Sequence, residues 1–309
     1  MTVPRGVLAI VGATATGKSA LAVEAALRLG GEVISADAFT AYRGIDAGTA
    51  KPTLEERRGV PHHLIDLKEP TEAFSAGEFA RLARAAAREI LSRGKIPILC
   101  GGTGFYVRAF FEGLFVGPPR DERLREALRL VEARRGAPWL VRALTLLDPQ
   151  SGARISQRDG ARAIRYLEIA VSTGRRPSEL FQERPGERWD GPSVKLLLTL
   201  PRPVLYGRIE RRFRDSIMAP LAGEVRRLLE AGVPVSAPGM AAIGYRETAA
   251  LLEGRLSASE WGDTVIRQTR RYAKRQETWF RSEPGLHPIR ADAPDLVEEV
   301  VSASRPLFS

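Results

Sequence analysis

The chain contains no asparagine and only one cysteine, Cys100. A single cysteine excludes an intrachain disulfide and a cysteine-rich metal site. No apolar run reaches the ~18 residues that a membrane-spanning helix needs, and the first residues lack the charged and then apolar pattern of a signal peptide. We therefore expect a cytoplasmic protein that does not associate with a membrane.

Lysine is also scarce: it supplies six of the 47 basic residues, and arginine supplies the other 41. The net charge of +10 favours phosphates and RNA as partners, and the guanidinium fork suits phosphate geometry. A GC-rich genome would produce the same excess of arginine. With 309 residues, 44% hydrophobic and 27% charged, the chain can form one large domain or two smaller ones and is not globally disordered.

Short apolar segments alternate with amphipathic segments in the first third of the chain. The strand candidates are residues 7–11, 32–35, 63–67 and 96–100, and the helix candidates are 17–29 and 75–92. This alternation predicts a parallel, doubly wound α/β sheet.

The pattern changes after Gly117-Pro118-Pro119, because residues 121–174 have only helical periodicity. Beyond this region a strand is predicted at 194–200, and helices are predicted at 208–231, 241–252 and 257–281. We therefore predict an all-helical insertion domain, residues 117–191, within an α/β core that is formed by residues 1–116 and 192–309.

A glycine-rich loop follows the first predicted strand and opens the first predicted helix. Its residues are Gly12, Ala13, Thr14, Ala15, Thr16, Gly17, Lys18 and Ser19, which match G-x-x-x-x-G-K-[ST] in the context that the motif requires. Such a loop turns backbone N–H groups toward a phosphate, and the helix N-terminus adds positive potential. Lys18 would add a charge, and the Ser19 hydroxyl could bind Mg²⁺. The core is therefore predicted to have a P-loop NTPase-like fold.

Two further loops follow predicted strands. Asp37 comes after residues 32–35, at the sheet edge where ligands bind in α/β proteins, and could help to bind Mg²⁺, act as a base or cap the loop. Thr103 lies in the Gly-Gly-Thr-Gly turn after residues 96–100 and could form a hydrogen bond to a ligand. His62 and His63 are adjacent, and on a strand they would point to opposite faces, which disfavours a shared metal.

The last predicted helix, 257–281, has a basic end. Residues 267–281 include six Arg and Lys residues and one acid, Glu277. Aromatic residues are interspersed among these charges, a pattern typical of a surface that binds RNA. A solvated helix with its aromatic residues in the core would have the same pattern.

Several segments together resemble the bacterial tRNA dimethylallyltransferases, also called tRNA isopentenyltransferases. The segments are 12–19, 37–52, 61–66, 101–106, 242–247 and 273–281. The stretches at 42–52 and 274–281 are specific to the family, whereas many proteins share the P-loop.

The resemblance implies transfer of a dimethylallyl group from its diphosphate to N6 of the adenosine that follows the anticodon in tRNA, with release of diphosphate. It implies that the P-loop holds the diphosphate with Mg²⁺, for which Ser19 and Asp37 are the candidate ligands. It also implies that Asp37 is the general base, with Thr103 as a second catalytic residue. Arg208, Arg211 and Arg212 could be further partners of the diphosphate or of the RNA backbone, or could form a solvated helix face.

The same resemblance, together with the basic helix, predicts a set of contacts with the anticodon stem-loop. They are Asp37, Ala38, Phe39, Thr40, Thr103, Arg125, Ala161, Arg162, Ala163, Ile164, Arg165, Arg271 and Arg275. Some positions depart from the family pattern: Ala13 replaces the usual Pro, Ala38 a common Ser, and Thr40 and Ala161 a frequent Gln. The loss of amide side chains would alter particular RNA contacts, which leaves the preferred tRNAs open.

Two other functions remain open from the residues. One is a P-loop kinase that binds ATP and phosphorylates a small hydroxyl substrate; the other is a non-catalytic, ATPase-like protein that binds RNA. The chain has no Asn-Lys-x-Asp motif for guanine and no typical Walker B segment, which weakens the case for a nucleotide substrate. We expect the protein to be a monomer.

Overall fold

The computed structural model describes residues 4–115, 117–183 and 186–308. Its backbone separates into two compact units: the first joins Met1–Phe111 to Trp189–Ser309, and the second is Glu112–Arg188.

The second unit begins and ends a few residues before the predicted insertion, 117–191. Trp189 belongs to the first unit because its ring stacks on Phe110, with the ring centroids 5.3 Å apart. Its backbone N–H also donates a hydrogen bond to the carbonyl of Phe111 at 3.1 Å.

In the described part of the first unit, six strands form one parallel sheet. They are β1 (Val7–Gly12), β2 (Gly31–Ser35), β3 (His62–His63), β4 (Ile96–Gly101), β5 (Ser193–Thr199) and β6 (His287–Arg290). Their order is β3-β2-β4-β1-β5-β6, which confirms the predicted α/β class. Because β2, β4 and β1 are neighbours, the loops that follow their carboxyl ends meet at one edge of the sheet.

Four helices connect the early strands. They are α1 (Lys18–Leu29), α2 (Leu54–Arg57), α3 (Ala76–Ser92) and α4 (Gly104–Glu112). Helix α1 begins after Gly17 and ends at Gly30, whose φ angles of 93° and 67° favour glycine. Its Leu21, Ala22 and Ala25 are buried in the core that covers one face of the sheet.

Helices are the only regular elements among the described residues of the second unit. Its elements are α5 (Glu122–Arg135), α6 (Ala137–Leu147), α7 (Pro149–Ala153), α8 (Gly160–Thr173) and α9 (Pro177–Glu183). Pro138 and Pro149 lie in the first turns of α6 and α7, where a missing N–H costs nothing. Leu140, Leu144 and Leu167 form part of the core of this unit.

The last part of the first unit is mainly helical. It comprises α10 (Arg202–Arg212), a π-helical turn (Phe213–Ile217), α11 (Met218–Glu230), α12 (Tyr245–Leu252), α13 (Ala258–Arg281) and α14 (Leu296–Ala303). The predicted continuous helix at 208–231 is thus two helices joined by the π-helical turn. Strand β6 and helices α2, α4 and α14 were not predicted.

The predicted strand at 63–67 is wrong, because the extended segment contains only His62–His63. Leu64 and Asp66 have φ angles of 63° and 55°, in the left-handed region that a strand does not use. The carboxylate of Asp66 instead lies 2.5 Å from Nζ of the buried Lys51. This stretch is therefore a loop that is tied to the wall of the cavity described next.

Candidate active site

A cavity of about 280 Å³ lies at the carboxyl edge of the sheet, within the first unit. Its polar lining includes Thr14, Lys18, Ser19, Asp37, Arg212, Tyr272 and Arg275. Its apolar lining includes Phe39, Ile65, Ile209, Phe213, Ile217, Ile243 and Val265. The cavity can therefore hold a molecule with one polar and one apolar part.

The predicted phosphate-binding loop follows β1 directly. Gly12 and Gly17 have φ angles of 155° and 93°, and a Cβ on Gly12 would lie 2.8 Å from the carbonyl oxygen of Leu198. The Thr16 hydroxyl donates to the carbonyl of Ala13 at 2.9 Å. Internal contacts thus stabilise the folded shape of the loop.

Three cations that line the cavity, Lys18, Arg212 and Arg275, have no carboxylate partner among the described residues. The Nζ of Lys18 donates to the carbonyl of Ala13 at 3.0 Å, and no described residue forms a hydrogen bond or ion pair with the guanidinium of Arg212. Burial lowers the pKa of Lys18 and of Arg212, and the nearby Asp37 only partly opposes the shift. Unpaired, poorly solvated cations provide a favourable place for an anion.

Asp37 is held in place by its neighbours in the loop after β2. Its Oδ1 accepts a hydrogen bond from the N–H of Phe39 at 2.9 Å. Thr103 binds this loop on both sides of Asp37: its Oγ1 accepts from the N–H of Ala38 at 3.1 Å, and its N–H donates to the carbonyl of Ala36 at 3.3 Å. The structure thus brings the two predicted catalytic residues together, and their roles stay predictions.

Two residues of α13 complete the site, although sequence reasoning did not select them. Gln276 accepts a hydrogen bond from the N–H of Thr14 and donates one to the carbonyl of Gly102, both at 2.8 Å. Tyr272 also lines the cavity, and burial together with the charge of Asp37 raises its pKa to about 12. The only sequence signal was that Gln276 lies in the family-specific stretch 274–281.

The predicted RNA contacts on α13 remain accessible. Arg271 and Arg275 are both exposed, and Cζ of Arg275 lies 5.7 Å from the ring centroid of Tyr272. The buried residues Ala273 and Phe280 lie on the opposite face of the helix. The two interpretations of this helix both fit, so RNA binding by Arg271 and Arg275 stays a prediction.

Residues 161–165, which are predicted to contact RNA, differ in how exposed they are in the second unit. Ala163 and Ile164 are 0% and 6% exposed in the core of this unit, so their side chains pack inside the unit, and their predicted contact with RNA stays a prediction. Ala161 and Arg162 are exposed and stay candidates.

Arg125 and Arg165, also predicted to contact tRNA, both bind Glu168. Arg125 is bidentate, with its Nε and Nη2 2.8 and 2.9 Å from the two carboxylate oxygens, and Nη1 of Arg165 lies 2.6 Å away from Oε2. The Glu168 side chain is fully buried. These two arginines therefore have a structural role within the unit, whatever they contribute to RNA binding.

The residues present suit Mg²⁺ held largely by a substrate. Ser19 and Asp37 line the same cavity, and the described residues contain no group of three or more His, Cys, Asp or Glu side chains that could enclose a metal. Mg²⁺ is usually bound by one or two protein oxygens, phosphate oxygens and water. His62 and His63 have other partners, the carbonyl of Val60 and the carboxylate of Glu32, at 2.9 and 2.7 Å.

The parallel sheet, the folded phosphate loop and the unpaired cations beside it define a P-loop protein. The family model described as IPP transferase matches residues 40–283. The chain belongs to this family, as the resemblance of its motifs predicted.

The relatives cover nearly the whole chain. The sequence is 47% identical to tRNA dimethylallyltransferase 1 of Trichlorobacter lovleyi over 91% of this chain and 92% of that protein. It is also 47% identical to the tRNA dimethylallyltransferase of Thermomicrobium roseum, over 89% and 83% of the two chains.

Solved structures agree with this assignment. The full-length tRNA isopentenylpyrophosphate transferase of Bacillus halodurans superposes with a TM-score of 0.72 at 39% identity, covering 98% of this chain and 96% of that one. A eukaryotic dimethylallyltransferase, solved acting on tRNA, gives a TM-score of 0.77 at 27% identity, over 96% and 77% of the two chains. Within the described residues, no helix is both long and apolar enough to cross a bilayer.

Proposed function

We propose that this protein transfers a dimethylallyl group from dimethylallyl diphosphate to N6 of the adenosine that follows the anticodon in tRNA. The observation that carries the proposal is the content of one cavity. Lys18 and Arg212, two of the lining cations that have no carboxylate partner among the described residues, face the same space as Asp37 and a largely apolar wall. A small isoprenoid diphosphate has the matching parts, a highly charged end and a short apolar chain.

The leaving group is the first requirement of this reaction. The bond between the allylic carbon and the diphosphate oxygen breaks, and the delocalised allylic cation makes this step accessible. Negative charge develops on the departing diphosphate, and the amides of the P-loop, Lys18 and Arg212 would stabilise it. When bound, Mg²⁺ would be held by Ser19 and, through a water molecule, by Asp37, and it would neutralise further charge on the diphosphate.

The nucleophile is the second requirement. The exocyclic amine of adenine is a weak nucleophile, and as its nitrogen bonds to the allylic carbon it must lose a proton. Asp37 lies in the cavity with a fixed loop backbone and would accept this proton as a general base. The apolar wall formed by residues such as Phe213 and Ile217 would exclude water from the reactive carbon.

The RNA must present its adenine outside a base stack. A single-stranded loop permits this at low cost, which suits the anticodon loop. Arg271 and Arg275 are exposed on α13 and would contact the backbone of the anticodon stem-loop. The cytoplasmic location and the monomeric state stay predictions from the sequence.

Nucleoside analysis tests the proposal. The purified protein is incubated with tRNA, Mg²⁺ and dimethylallyl diphosphate, and the tRNA is then digested. We expect N6-(dimethylallyl)adenosine, and release of diphosphate only when tRNA is present. Turnover of ATP on a small hydroxyl substrate, without the modified nucleoside, would instead support the kinase.

A further inference from the structure

Gln276 connects two loops of the active site that lie far apart in the sequence. Its Oε1 accepts the hydrogen bond from the N–H of Thr14 in the P-loop, and its Nε2 donates to the carbonyl of Gly102 after β4, each at 2.8 Å. The residue is only 5% exposed, so water has little access to its amide. A Cβ on Gly102 would lie 2.3 Å from Nε2, which explains the glycine at this position.

The connection continues from Gly102 to the loop that carries Asp37. The next residue, Thr103, accepts a hydrogen bond from the N–H of Ala38 at 3.1 Å and donates one to the carbonyl of Ala36 at 3.3 Å. The backbone on both sides of Asp37 is therefore fixed to Thr103. A chain of hydrogen bonds thus runs from the P-loop through Gln276 and Thr103 to the backbone beside Asp37.

We propose that Gln276 is a positioning residue that sets the P-loop and the Asp37 loop at the separation needed for the transfer. The inference rests on the proposed function, in which the P-loop holds the leaving diphosphate and Asp37 accepts the proton from the attacking amine. Both groups act on one bond exchange, so a small error in their separation reduces the rate much more than it reduces binding.

A structural role for Gln276 predicts something different. If the amide served only to satisfy buried backbone groups, its loss would lower the stability of the fold, and the active fraction would keep its turnover number. A positioning role predicts a lower kcat when Gln276 is changed, whereas a structural role predicts an unchanged kcat. The dependence of kcat on pH in an isosteric variant distinguishes the two roles further.

Gln276→Glu is the informative variant. One oxygen of the introduced carboxyl can still accept from the N–H of Thr14, but the other can donate to the carbonyl of Gly102 only when it carries a proton. Burial beside a carbonyl oxygen raises the pKa of such a carboxyl toward neutrality. Tyr272, the neighbouring group with a pKa of about 12, does not titrate in this range.

We expect kcat of Gln276→Glu at pH 8 to fall about 10- to 100-fold relative to the parent, with a much smaller change in KM for tRNA. The ratio of the variant's kcat to the parent's should rise several-fold between pH 8 and pH 6, as the carboxyl regains its proton. Gln276→Met, which cannot form either bond, should show a similar loss of kcat and no recovery at pH 6.

Gln268→Glu is the matched control on the same helix. Its amide donates to Oε1 of Glu247 at 2.7 Å and contacts neither the P-loop nor Gly102. We expect a lower melting temperature for this variant and a kcat that follows the parent at each pH. If Gln276→Glu and Gln276→Met keep the kcat of the parent, or lose it without the pH-dependent recovery of Gln276→Glu, the positioning role is overturned.

The parent protein separates this outcome from a failure of the proposed function, because a parent that forms no prenylated adenosine contradicts the function itself. In that case the affinity for Mg²⁺-diphosphate, measured by calorimetry, still tests the contact with the P-loop. A several-fold weaker affinity in Gln276→Met supports the contact's role in shaping the loop, and an unchanged affinity counts against it.

Discussion

Arg212 in the first unit and Arg125 with Arg165 in the second show two opposite uses of arginine. In the first unit, Arg212 faces the cavity, and no described residue pairs with its guanidinium. In the second unit, Arg125 and Arg165 both bind the fully buried carboxylate of Glu168. An arginine that already neutralises a buried carboxylate belongs to the fold, whereas an unpaired one in a cavity is available to an anionic substrate.

The pKa values follow the same division. Burial lowers the pKa of Arg212, because its charge has lost water without gaining a full partner. Burial alone would raise the pKa of Glu168, but the hydrogen bonds from Arg125 and Arg165 outweigh it and lower the pKa to about 2. The comparison therefore predicts a loss of function when Arg212 is changed and a loss of stability when Arg125 is changed.

The largest effect is expected at Asp37. Asp37→Asn removes the base but keeps an oxygen that can accept a hydrogen bond from the N–H of Phe39. In the parent, this nitrogen lies 2.9 Å from Oδ1 of Asp37. We expect kcat to fall by roughly 10²- to 10⁴-fold, the range of general-base contributions, while tRNA affinity measured by gel shift is kept. Asp292→Asn, in an exposed ion pair with Arg290, is the control. Equal turnover in Asp37→Asn and the parent would remove Asp37 from the mechanism.

The next effect concerns the second unit. Arg125→Met leaves the buried carboxylate of Glu168 with one arginine fewer, so we expect the free energy of unfolding in urea to fall by about 3 kcal/mol. Unchanged stability combined with weaker tRNA binding would show that Arg125 serves the RNA, as the resemblance to the family implied, and would break the comparison.

The pH dependence of stability provides a further test of Arg125→Met. Because the folded-state pKa of Glu168 is depressed from 4.5 to about 2, its stabilising contribution is fully present above pH 4.5 and is lost as the pH falls toward 2. The stability difference between the parent and Arg125→Met should therefore shrink across this window. A constant difference would attribute the effect of Arg125 to packing and not to its charge.

Arg212→Met should lower activity and keep stability, which is the reverse of the result expected for Arg125→Met. Arg212→Met removes a cation from the leaving-group site, so we expect kcat/KM for dimethylallyl diphosphate to fall roughly 10²-fold. Stability should not fall, because no carboxylate loses its partner and a poorly solvated charge is removed. Arg28→Gln, which breaks an exposed pair with Glu298 at 3.0 Å, should change neither quantity measurably. A large loss of stability in Arg212→Met would contradict the assignment.

Contiguous features of the fold and site could be predicted from the sequence. The phosphate loop and Asp37 each lie beside a strand whose apolar pattern is local, so the position of both at the sheet edge followed from the alternation of strands and helices. Strand β6 is only four residues long and includes Pro288, and such a segment has no periodicity to detect.

Features that depend on distant contacts could not be predicted. Gln276 meets partners that are 262 and 174 positions away in the chain, and no local pattern marks such a bridge. Likewise, the positions of Arg125 and Arg165 matched a family pattern, but their pairing with Glu168 arises only when α5 and α8 pack together. The sequence identifies which arginines exist, and only the fold determines which of them are already paired.

The smallest expected effect concerns α13, where paired and unpaired arginines can be compared within one helix. Arg271 and Arg275 of α13 are exposed, and no described residue forms an ion pair with them, whereas Nη2 of the adjacent Arg270 lies 2.6 Å from Glu210. If the unpaired arginines contact phosphates, each change to Gln should reduce the slope of log K against log salt for tRNA binding by about 0.7–0.9.

Arg270→Gln is the matched control, since the same change on the same helix removes an arginine that is already paired. We expect it to lower stability slightly and to leave the salt slope unchanged. Equal reductions of the slope in all three variants would show that pairing in the free protein does not decide which arginines bind RNA. An unchanged slope in Arg271→Gln and Arg275→Gln would assign the outer face of α13 to solvent, and the contacts with the tRNA backbone would then have to come from other basic residues.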